Sequence, residues 1–578
     1  MINPRSKREK FLGFKIALPD KITVFASDET AKRVLNVLNI FLDEVKLNFD
    51  FVDDAEKAFF KIYHTPKKQT RLERYKLYTD KLGITASFEC FMGGRNAMAS
   101  LYQLMHRENN EISIDAANLD DWADVSHREL MLEMCFKDMP PERIKRIMVD
   151  MALSKMNVLH MHLMDNRTLA LQFDAYPAAN NKKWEYYTKD EMKDIIAFGK
   201  SIGIESMPEI EFVTHSKGLT YSMPELFCES TSAHADNIHH ALCIGNEEVF
   251  DFYDALIKEI TEIFDFPIIH VGADEIVAYD IDVWPMWYDC KRCRKKAEEL
   301  GIRLSTQKEL DERMDDGSFL FKGIDGVMEL MMYGIKRMHK IVTKYGRRMM
   351  MWNDNIDISK PCDLPKDILI HFWRIAAKHR GPHEGCTMEK FLEQGFEVVN
   401  THYPQTYIEV DLYTPEIPLN KWAPRVYPEA AEEYRSRILG GGPCAWGNGN
   451  GSHFKYTLAS MISFYGDRLW DERENEYGKD FEIAITKQIL GITTPENMNV
   501  FSALGGFILP RNFWKSVKKN GPFKYAYIDK ITISKEEMKI IKAQLEALSH
   551  VKSRYARQAE DYLFCVNWAL EEKYGCNE

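Results

Sequence analysis

The alternation of strand-like and helix-like segments between Asp124 and Glu472 constrains the fold of this chain more than any other feature. Short apolar runs with β-branched residues favour buried strands, and most are followed by apolar residues at helical spacing. Eight such units over roughly 350 residues predict a (β/α)8 TIM barrel with insertions. An open doubly wound sheet is the rival fold, but no G-x-G-x-x-G turn follows the first predicted strand. The predicted strands are 130–134, 157–163, 204–210, 268–272, 348–352, 368–373, 396–400 and 438–446.

Polar and aromatic residues cluster where these predicted strands end, which is where a barrel carries its functional groups. Histidines and acids follow the second, third and fourth strands, and a tryptophan closes the fifth, sixth and eighth. Aromatic walls with a few acids suit a sugar, because the rings stack on its apolar faces while carboxylates bind its hydroxyls. The residues concerned are His160, His162, Asp165, Glu209, Glu211, His215, Asp274, Glu275, Trp352, Asn353, Asp354, His371, Trp373, Arg374, His402, Tyr403, Tyr407 and Trp446.

The fourth predicted strand ends in two adjacent acids, Asp274 and Glu275. Carboxylates at the end of a buried strand indicate a cleft, because burying an unpaired charge is strongly unfavourable. Two neighbouring carboxyl groups also separate each other's pKa values, so that one can stay protonated near neutral pH while the other is ionised. The pair therefore points to acid-assisted bond cleavage, and helix capping is the structural alternative.

The regions on either side of the barrel predict packing roles, since neither contains a site-like cluster. Residues 1–123 predict a small N-terminal α+β domain, and residues 475–578 predict a C-terminal helical region after a barrel of residues 124–474. The predicted strands of the first region are 15–18, 22–25, 75–78 and 83–88, and its helices are 30–47 and 93–105. The predicted helices of the last region are 536–549 and 553–573.

The composition narrows the classes of partner and compartment. A net charge of −12 argues against nucleic-acid and anionic-membrane partners. The basic N-terminus is not followed by an apolar signal segment, and no apolar run approaches the roughly 18 residues of a membrane span. We therefore expect a cytoplasmic protein, unless a leader precedes Met1. The 11 scattered cysteines do not form a disulfide framework, and nothing in the sequence indicates an oligomeric state.

Several motifs, in order, resemble those of family 20 glycoside hydrolases, the β-N-acetylhexosaminidases. Residues 270–275 (HVGADE) resemble the H-x-G-[GA]-D-E signature of that family. Residues 155–165 (KMNVLHMHLMD) resemble its K-x-N-x-L-H-x-H-L-x-D strand, and residues 126–133 (SHRELMLE) resemble the Y-R-G-x-x-x-D entry to the barrel. The resemblance covers most of the first 480 residues and implies an N-terminal α+β domain before a TIM barrel.

The resemblance implies substrate-assisted retention, in which no enzyme carboxylate attacks the sugar. Glu275 would be the general acid and then the base that activates water. Asp274 would orient the 2-acetamido group of the substrate and stabilise the positive charge of an oxazolinium intermediate. Tyr407 would hold the acetamide carbonyl from the other side. No cofactor and no metal are expected for this chemistry, and the substrate would be an oligosaccharide or glycoconjugate with a terminal β-linked GlcNAc or GalNAc.

The resemblance also implies roles for residues that bind the sugar or support the acid. Tryptophans would form walls against the acetyl methyl group and the sugar ring, an arginine would grip hydroxyls through a bidentate fork, and an Asp–His pair would orient Glu275. The substrate-binding set is Trp352, Trp373, Trp446, Arg128, Glu409 and Asn448, and the supporting set is Asp165, His215 and His162.

The sequence departs from the family pattern at groups around the catalytic set. The E-x-D-x-P-G-H motif of the family is EIEFVTH at 209–215, which alters the loop 212–214, and the barrel-entry Gly and Asp are replaced by Glu129 and Glu133. Asn448 stands where a carboxylate commonly closes the W-x-E motif, and Glu409 stands where an Asp often contacts the 6-hydroxyl. The reaction is therefore better supported than the choice of substrate.

Three alternatives remain at this stage. A zinc-dependent amidohydrolase could use His160 and His162, with His215, His270 and Asp274, since side chains two apart on a strand point the same way. A non-catalytic sugar-binding protein could share the scaffold. Finally, the C-x-x-C motif at 290–293 could belong to a structural zinc site, but the sequence places no further ligands nearby, which favours free thiols.

Overall fold

The computed structural model describes most of residues 2–477. Gaps of four or more residues fall at 67–70, 181–184, 230–240, 277–285, 313–325, 375–386, 409–415 and 447–457. Beyond residue 477 the structure describes 534–550 and a number of single or paired residues. No described helix combines the length and apolar character needed to cross a bilayer.

The first 121 residues form a mixed sheet with two helices, which confirms the predicted α+β class. The sheet runs in the order β1-β8-β5-β6-β4-β2-β3, with β7 paired to β8. The predicted antiparallel pair β5–β6 is present, and Asp80 faces Gly83 at its turn. The elements are β1 (Arg8–Ala17), β2 (Ile22–Ala26), α1 (Glu29–Leu42), β3 (Phe49–Phe51), β4 (Phe60–His64), β5 (Tyr75–Asp80), β6 (Gly83–Phe88), α2 (Phe91–Leu104), β7 (Met105–Glu108) and β8 (Glu111–Asp121).

Eight parallel strands close into a barrel, as predicted. The strand order is β9-β10-β13-β14-β15-β16-β17-β19, and β19 returns to pair with β9. The last predicted strand is divided, since Pro443 between its two parts has no N–H to donate to a ladder. The eight barrel strands are β9 (His127–Glu133), β10 (Val158–His162), β13 (Glu205–Glu209), β14 (Ile268–His270), β15 (Arg348–Trp352), β16 (Leu369–Phe372), β17 (Glu397–Asn400) and β19 (Ile438–Gly441). The short strands β18 (Tyr407–Ile408) and β20 (Cys444–Ala445) extend the sheet beside β9, and β11 (Met164–Asp165) and β12 (Thr168–Leu169) form a separate antiparallel pair.

Helices follow most barrel strands and have local sequence reasons to start where they do. Pro141 occupies the first turn of α3, where a missing N–H costs nothing. Thr188 and Glu191 form a capping box at the start of α4. The described helices after β9 are α3 (Pro141–Leu153), α4 (Lys189–Ser201), α5 (Glu247–Ile263), α6 (Lys291–Glu299), α7 (Val327–Lys344), α8 (Met388–Glu393), α9 (Tyr403–Thr406), α10 (Leu458–Trp470) and α11 (Lys535–Ser549).

Buried ion pairs join the N-terminal sheet to the barrel. Lys155 Nζ lies 2.8 Å from Asp121 Oδ2, and both side chains are fully buried. Tyr75 and Trp470 also donate hydrogen bonds to Asp121. This contact lies beside the start of β10, at the end of the barrel away from the predicted site. The predicted helix 553–573 lies mostly outside the described residues, and the proposed domain boundaries remain predictions.

Candidate active site

The backbone that carries the acid pair is held in an unusual conformation. Gly272, Ala273 and Glu275 follow β14 with φ values of 56°, 66° and 48°. Residues with side chains rarely adopt this region, and such strain is concentrated at functional sites. A Cβ on Gly272 would lie 1.8 Å from a carboxylate oxygen of Glu211. Only glycine therefore allows the chain to pass so close to that carboxylate while presenting both acids.

Residues after β15 and β16 fix the acid pair from behind. Asp354 Oδ2 accepts a hydrogen bond from the backbone N–H of Glu275 at 2.9 Å. The same carboxylate accepts hydrogen bonds from Arg374 at 2.8 Å and from the Trp373 indole at 3.1 Å. Asn355 donates to the Ala273 carbonyl at 2.6 Å. Because three strand ends meet in this network, the orientation of Glu275 is coupled to the position of Trp373.

His215 lies among three carboxylates. Its ring nitrogens are 3.5 Å from Asp165 Oδ1, 3.7 Å from Asp274 Oδ2 and 3.6 Å from Glu275 Oε2. Burial acts to lower the pKa of His215, but Asp274, Asp165 and Glu275 outweigh it and hold that pKa well above its usual value. In the same way, burial acts to raise the pKa of Asp165, yet His215 lowers it. His215 is therefore a cation at neutral pH that stabilises negative charge on its neighbours.

Glu211 is a further acid near Asp274, and its side chain is more deeply buried than that of Asp274. Burial, followed by the charge of Asp274, raises the pKa of Glu211 well above its usual value. Burial also raises the pKa of Asp274, with Asp354 and Glu275 acting in the same direction and His215 against them. His162 Nε2 lies 3.2 Å from Glu211 Oε1. His215 opposes this rise at both carboxyls, which favours their ionised forms.

Aromatic side chains line the neighbouring strand ends. Trp373 stacks on Tyr407 with ring centroids 5.9 Å apart and planes 10° apart. Trp446 lies 5.9 Å from Tyr407 and 6.4 Å from Trp352. Trp352 itself stacks on His371 at 4.1 Å. The structure therefore brings together four of the predicted aromatic residues, each from a different strand end. This set is called the aromatic wall below (Trp352, Trp373, Tyr407 and Trp446).

A buried network of histidines and glutamates lies beneath this wall in the barrel interior. Glu209 lies 2.9 Å from His160 Nε2 and 2.8 Å from His270 Nδ1, and it accepts a hydrogen bond from Trp352 at 2.8 Å. His371 Nε2 lies 2.7 Å from Glu129. All these side chains are buried. The network fixes the lower part of the site through Trp352.

The comparisons with known proteins bear on this geometry. A family model described as the catalytic domain of glycosyl hydrolase family 20 matches residues 125–454, which is more than half of the chain. The chain belongs to glycosyl hydrolase family 20. The β-hexosaminidase of Porphyromonas gingivalis is 23% identical over 363 residues, covering 58% of this chain and 43% of that protein. The β-hexosaminidase of Vibrio furnissii is 24% identical over 404 residues, covering 63% and 60%.

A solved structure shares the fold. The family 20 exo-β-N-acetylglucosaminidase of Vibrio harveyi, determined in complex with N-acetylglucosamine, superimposes with a TM-score of 0.69 at 19% identity. The match covers 85% of this chain and 76% of that one. The chain spans about half the length of the curated relatives it matches, between 43% and 60% for the two above.

Arg128, which was carried over from the family pattern, does not lie in this site. The prediction that it binds sugar hydroxyls is therefore wrong. Arg128 is fully buried near the start of β9, at the opposite end of the barrel from the acids. Its guanidinium donates hydrogen bonds to Glu73 at 2.6 Å and to the Lys155 and Val125 carbonyls at 2.8 and 2.7 Å. It therefore joins β9 to the N-terminal domain.

The histidines of the amidohydrolase alternative belong to separate groups. His160 and His270 contact Glu209 in the barrel interior, whereas His215 lies with Asp274 and Glu275 above them. A catalytic zinc needs an open coordination position, and both interior histidines are fully buried beside a carboxylate. The predicted Glu409 and Asn448 lie outside the described residues.

Three residues that sequence reasoning left without a role also lie at this candidate site. Asp354 supports the backbone of Glu275, and Arg374 lies 4.0 Å from Glu275 Oε1 while it stacks over Trp373. Glu211 sits beneath the acid pair. All three stand at predicted strand ends, so the signal was present. What the sequence did not reveal was which of these ends meet.

Proposed function

We propose that this family 20 chain is an exo-acting, retaining β-N-acetylhexosaminidase. It removes terminal β-linked GlcNAc or GalNAc, and the acetamido oxygen of the substrate acts as the nucleophile. The observation that carries this proposal is the convergence of Asp274 and Glu275 with one cationic histidine and the aromatic wall at the C-terminal end of the barrel. The β-hexosaminidase names of the relatives support the same class of reaction.

Glu275 is suited to proton transfer to the leaving group. Its side chain is 31% exposed, whereas that of Asp274 is 14% exposed. The more accessible carboxyl can reach the glycosidic oxygen, and a positioned acid of this kind contributes roughly 10²–10⁴-fold to the rate. After the aglycone leaves, the same group is ionised and can accept a proton from the water that opens the oxazolinium ring. His215, 3.6 Å away, stabilises that anion.

Asp274 is suited to hold the acetamide N–H. Among the described residues its Oδ1 atom is buried and has no hydrogen-bond partner. Leaving a buried acceptor unpaired costs about 1–3 kcal/mol, so a donor supplied by the substrate is favoured there. As positive charge develops on the oxazoline ring, an ionised Asp274 stabilises it, which makes the interaction stronger in the transition state than in the ground state.

The aromatic wall is suited to the acetyl group and the sugar ring. Trp373 and Tyr407 present nearly parallel faces, and an apolar methyl group and the C–H face of a pyranose both pack favourably on such surfaces. The Trp446 Nε1 atom is buried with no hydrogen-bond partner among the described residues. It therefore offers one donor for an oxygen of the substrate.

The test is release of nitrophenol from the β-N-acetylglucosaminide and the β-N-acetylgalactosaminide. We expect turnover by the wild type, inhibition by a thiazoline analogue, and a rate reduced roughly 10²–10⁴-fold in Glu275→Gln. The matched control is Glu142→Gln, an exposed helix glutamate that should retain full activity. No turnover on either sugar by a folded protein would refute the proposal, and binding of the sugars without turnover would identify a sugar-binding protein.

The substrate-assisted step has its own test. A 2-trifluoroacetamido substrate has a less nucleophilic carbonyl oxygen, so its turnover should be much slower than that of the acetamido substrate. The first product seen by proton NMR should be the β-anomer, since two inversions give retention. A first-formed α-anomer, or a rate that does not depend on fluorination, would rule out this mechanism while leaving the hydrolase activity itself intact.

A further inference from the structure

Four cysteines from two separate stretches of sequence lie together beside the candidate active site. The C-x-x-C motif supplies Cys290 and Cys293, and the loop after β13 supplies Cys228 and Cys243. The expectation that no further ligands lie near the motif is therefore wrong. Cys228 and Cys243 are 47 or more residues away in sequence, and the fold brings them into contact with the motif.

The spacing of the sulfur atoms matches a tetrahedral metal site. The Sγ atom of Cys243 lies 3.7 Å from that of Cys290 and 3.6 Å from that of Cys293, and Cys228 Sγ lies 3.7 Å from Cys293 Sγ. All four sulfurs lie within 4.8 Å of one another. A tetrahedron with a metal–sulfur distance of about 2.3 Å has edges of about 3.8 Å. A disulfide needs about 2.05 Å, and all four cysteines are free thiols.

Local hydrogen bonds build each half of this cluster. Phe227 and Leu242 form an antiparallel bridge, and the Cys243 N–H donates to the Leu226 carbonyl at 2.8 Å. These contacts set Cys228 and Cys243 side by side. In the other half, Cys290 directly precedes α6 and Cys293 lies in its first turn, and the two are separated by the C-x-x-C spacing that is typical of zinc ligands.

The two halves are held against each other by close backbone packing. A Cβ on Gly245 would lie 2.5 Å from the carbonyl carbon of Arg292, so only glycine lets the segment carrying Cys243 approach the start of α6. The Arg292 guanidinium crosses between the halves and donates to the Phe227 carbonyl at 2.7 Å. This arrangement positions the cluster through backbone contacts that do not involve the sulfurs themselves.

We propose that these four cysteines bind one zinc ion as a structural site. Cys243, Cys290 and Cys293 are buried, and four thiols in contact offer each other only weak hydrogen bonds. As thiolates they would repel one another unless a cation lay between them. Four soft sulfur ligands in tetrahedral arrangement select zinc. All four positions are filled by the protein, so the ion has no open site for a substrate and supplies no catalysis.

The position of the cluster assigns it a mechanical role. The Leu242 N–H donates to the Val213 carbonyl at 2.9 Å, two residues before His215. The Trp287 indole, from the stretch that follows the catalytic pair, donates to the Leu242 carbonyl at 2.9 Å. The zinc ion would therefore hold Leu242, which contacts the segment leading to His215, against the segment 287–293.

The test uses the full chain, expressed with zinc in the medium and purified without a chelator. Elemental analysis should give about one zinc ion per chain. Cobalt-substituted protein should show the visible d–d bands and near-ultraviolet charge-transfer bands of tetrahedral thiolate coordination. In Cys290→Ser and Cys243→Ser the affinity for zinc should fall by at least about 10–100-fold, whereas Cys362→Ser, outside the cluster, should keep one ion.

The wild-type experiments decide the question even if the cluster variants fail to fold. Wild-type protein without stoichiometric metal, or with a disulfide detected by alkylation and mass spectrometry in this cluster, would overturn the proposal. One iron ion per chain in place of zinc would overturn the assignment of the metal. One zinc ion that protects four cysteines from alkylation until it is removed would establish the site, independently of any glycosidase activity.

Discussion

The charge of His215 sets the pH range in which the acid pair can work, and its removal should shift that range. In His215→Asn the cation among Asp165, Asp274 and Glu275 is lost. Asparagine tolerates the left-handed φ of 47° at this position, and its amide can keep one hydrogen bond near the place of the ring nitrogen. The variant therefore isolates the loss of charge from a change of backbone conformation.

The magnitude follows from the distance of 3.7 Å between His215 Nε2 and Asp274 Oδ2. At an effective dielectric constant of about 20, two unit charges at this separation attract by roughly 4.5 kcal/mol. One pKa unit corresponds to about 1.4 kcal/mol, so the loss of this attraction can raise the pKa of Asp274 by at most about 3 units. Solvent and side-chain relaxation reduce this rise, and we expect about 1–3 units. Losing a cation disfavours the ionised carboxylate, so the pKa of Asp274 rises.

The assay is the pH dependence of kcat/KM for an aryl β-N-acetylglucosaminide, which reports the free enzyme. Because Asp274 must be ionised, the acid limb of the profile should move to higher pH by about 1–3 units in His215→Asn. The matched control is His339→Asn. His339 lies on the outer helix α7 and pairs with Asp367 at 3.0 Å, so this variant should leave the pH profile unchanged. An acid limb that stays in place in a folded His215→Asn protein would refute this account of the site.

Three further predictions concern stability. Gly272→Ala should unfold at lower urea concentration than Gly346→Ala. Both alanines must adopt a positive φ, which costs each about 1–2 kcal/mol. Only the Cβ of the first alanine would also meet a carboxylate oxygen, that of Glu211, at 1.8 Å. Lys155→Met should cost about 3–5 kcal/mol, because the buried carboxylate of Asp121 would lose its cationic partner. By contrast, Lys32→Met, with an exposed partner, should change stability by no more than about 1 kcal/mol. Lowering the pH from about 6 to 5 should reduce the free energy of unfolding by about 1 kcal/mol. Burial lowers the pKa of His270 to about 3, so in this pH range the unfolded chain binds a proton at this residue that the native chain does not. Equal urea midpoints at the two pH values would contradict this.

The sequence predicted the barrel well because its strands have a strong local signal. Each is a short apolar run with polar residues at its end, and all eight positions agree with the structure to within a few residues. Four strands of the N-terminal sheet were not predicted. The longest of them, β8, contains Asn, Asp and Ala residues that are uncommon in strands, and it is stabilised by pairing with β1 and β5 rather than by its own pattern.

The errors in the site arose where the answer depends on contacts between distant segments. The motif around Arg128 identified the correct strand, but it did not show that this side chain lies at the start of β9, away from the acids. In the same way, the spacing of Cys290 and Cys293 gave no sign of Cys228 and Cys243, because only the closed barrel brings the two loops together. Residue type and hydrophobic period can be read from a sequence, whereas contacts between distant segments are set by the tertiary structure.

The contacts of Arg128 and Lys155 with the N-terminal sheet limit how this barrel can be used as a module. Both cations lie at the lower end of the barrel, and their carboxylate partners come from the preceding region: Asp121 ends β8, and Glu73 lies in the turn before β5. A barrel excised at β9 would expose two charges built for a buried environment and would lose the anchors of its first two strands. Grafting the catalytic loops onto other scaffolds, or recombining this barrel with foreign partners, therefore requires that the N-terminal sheet be transferred with it as part of the same unit.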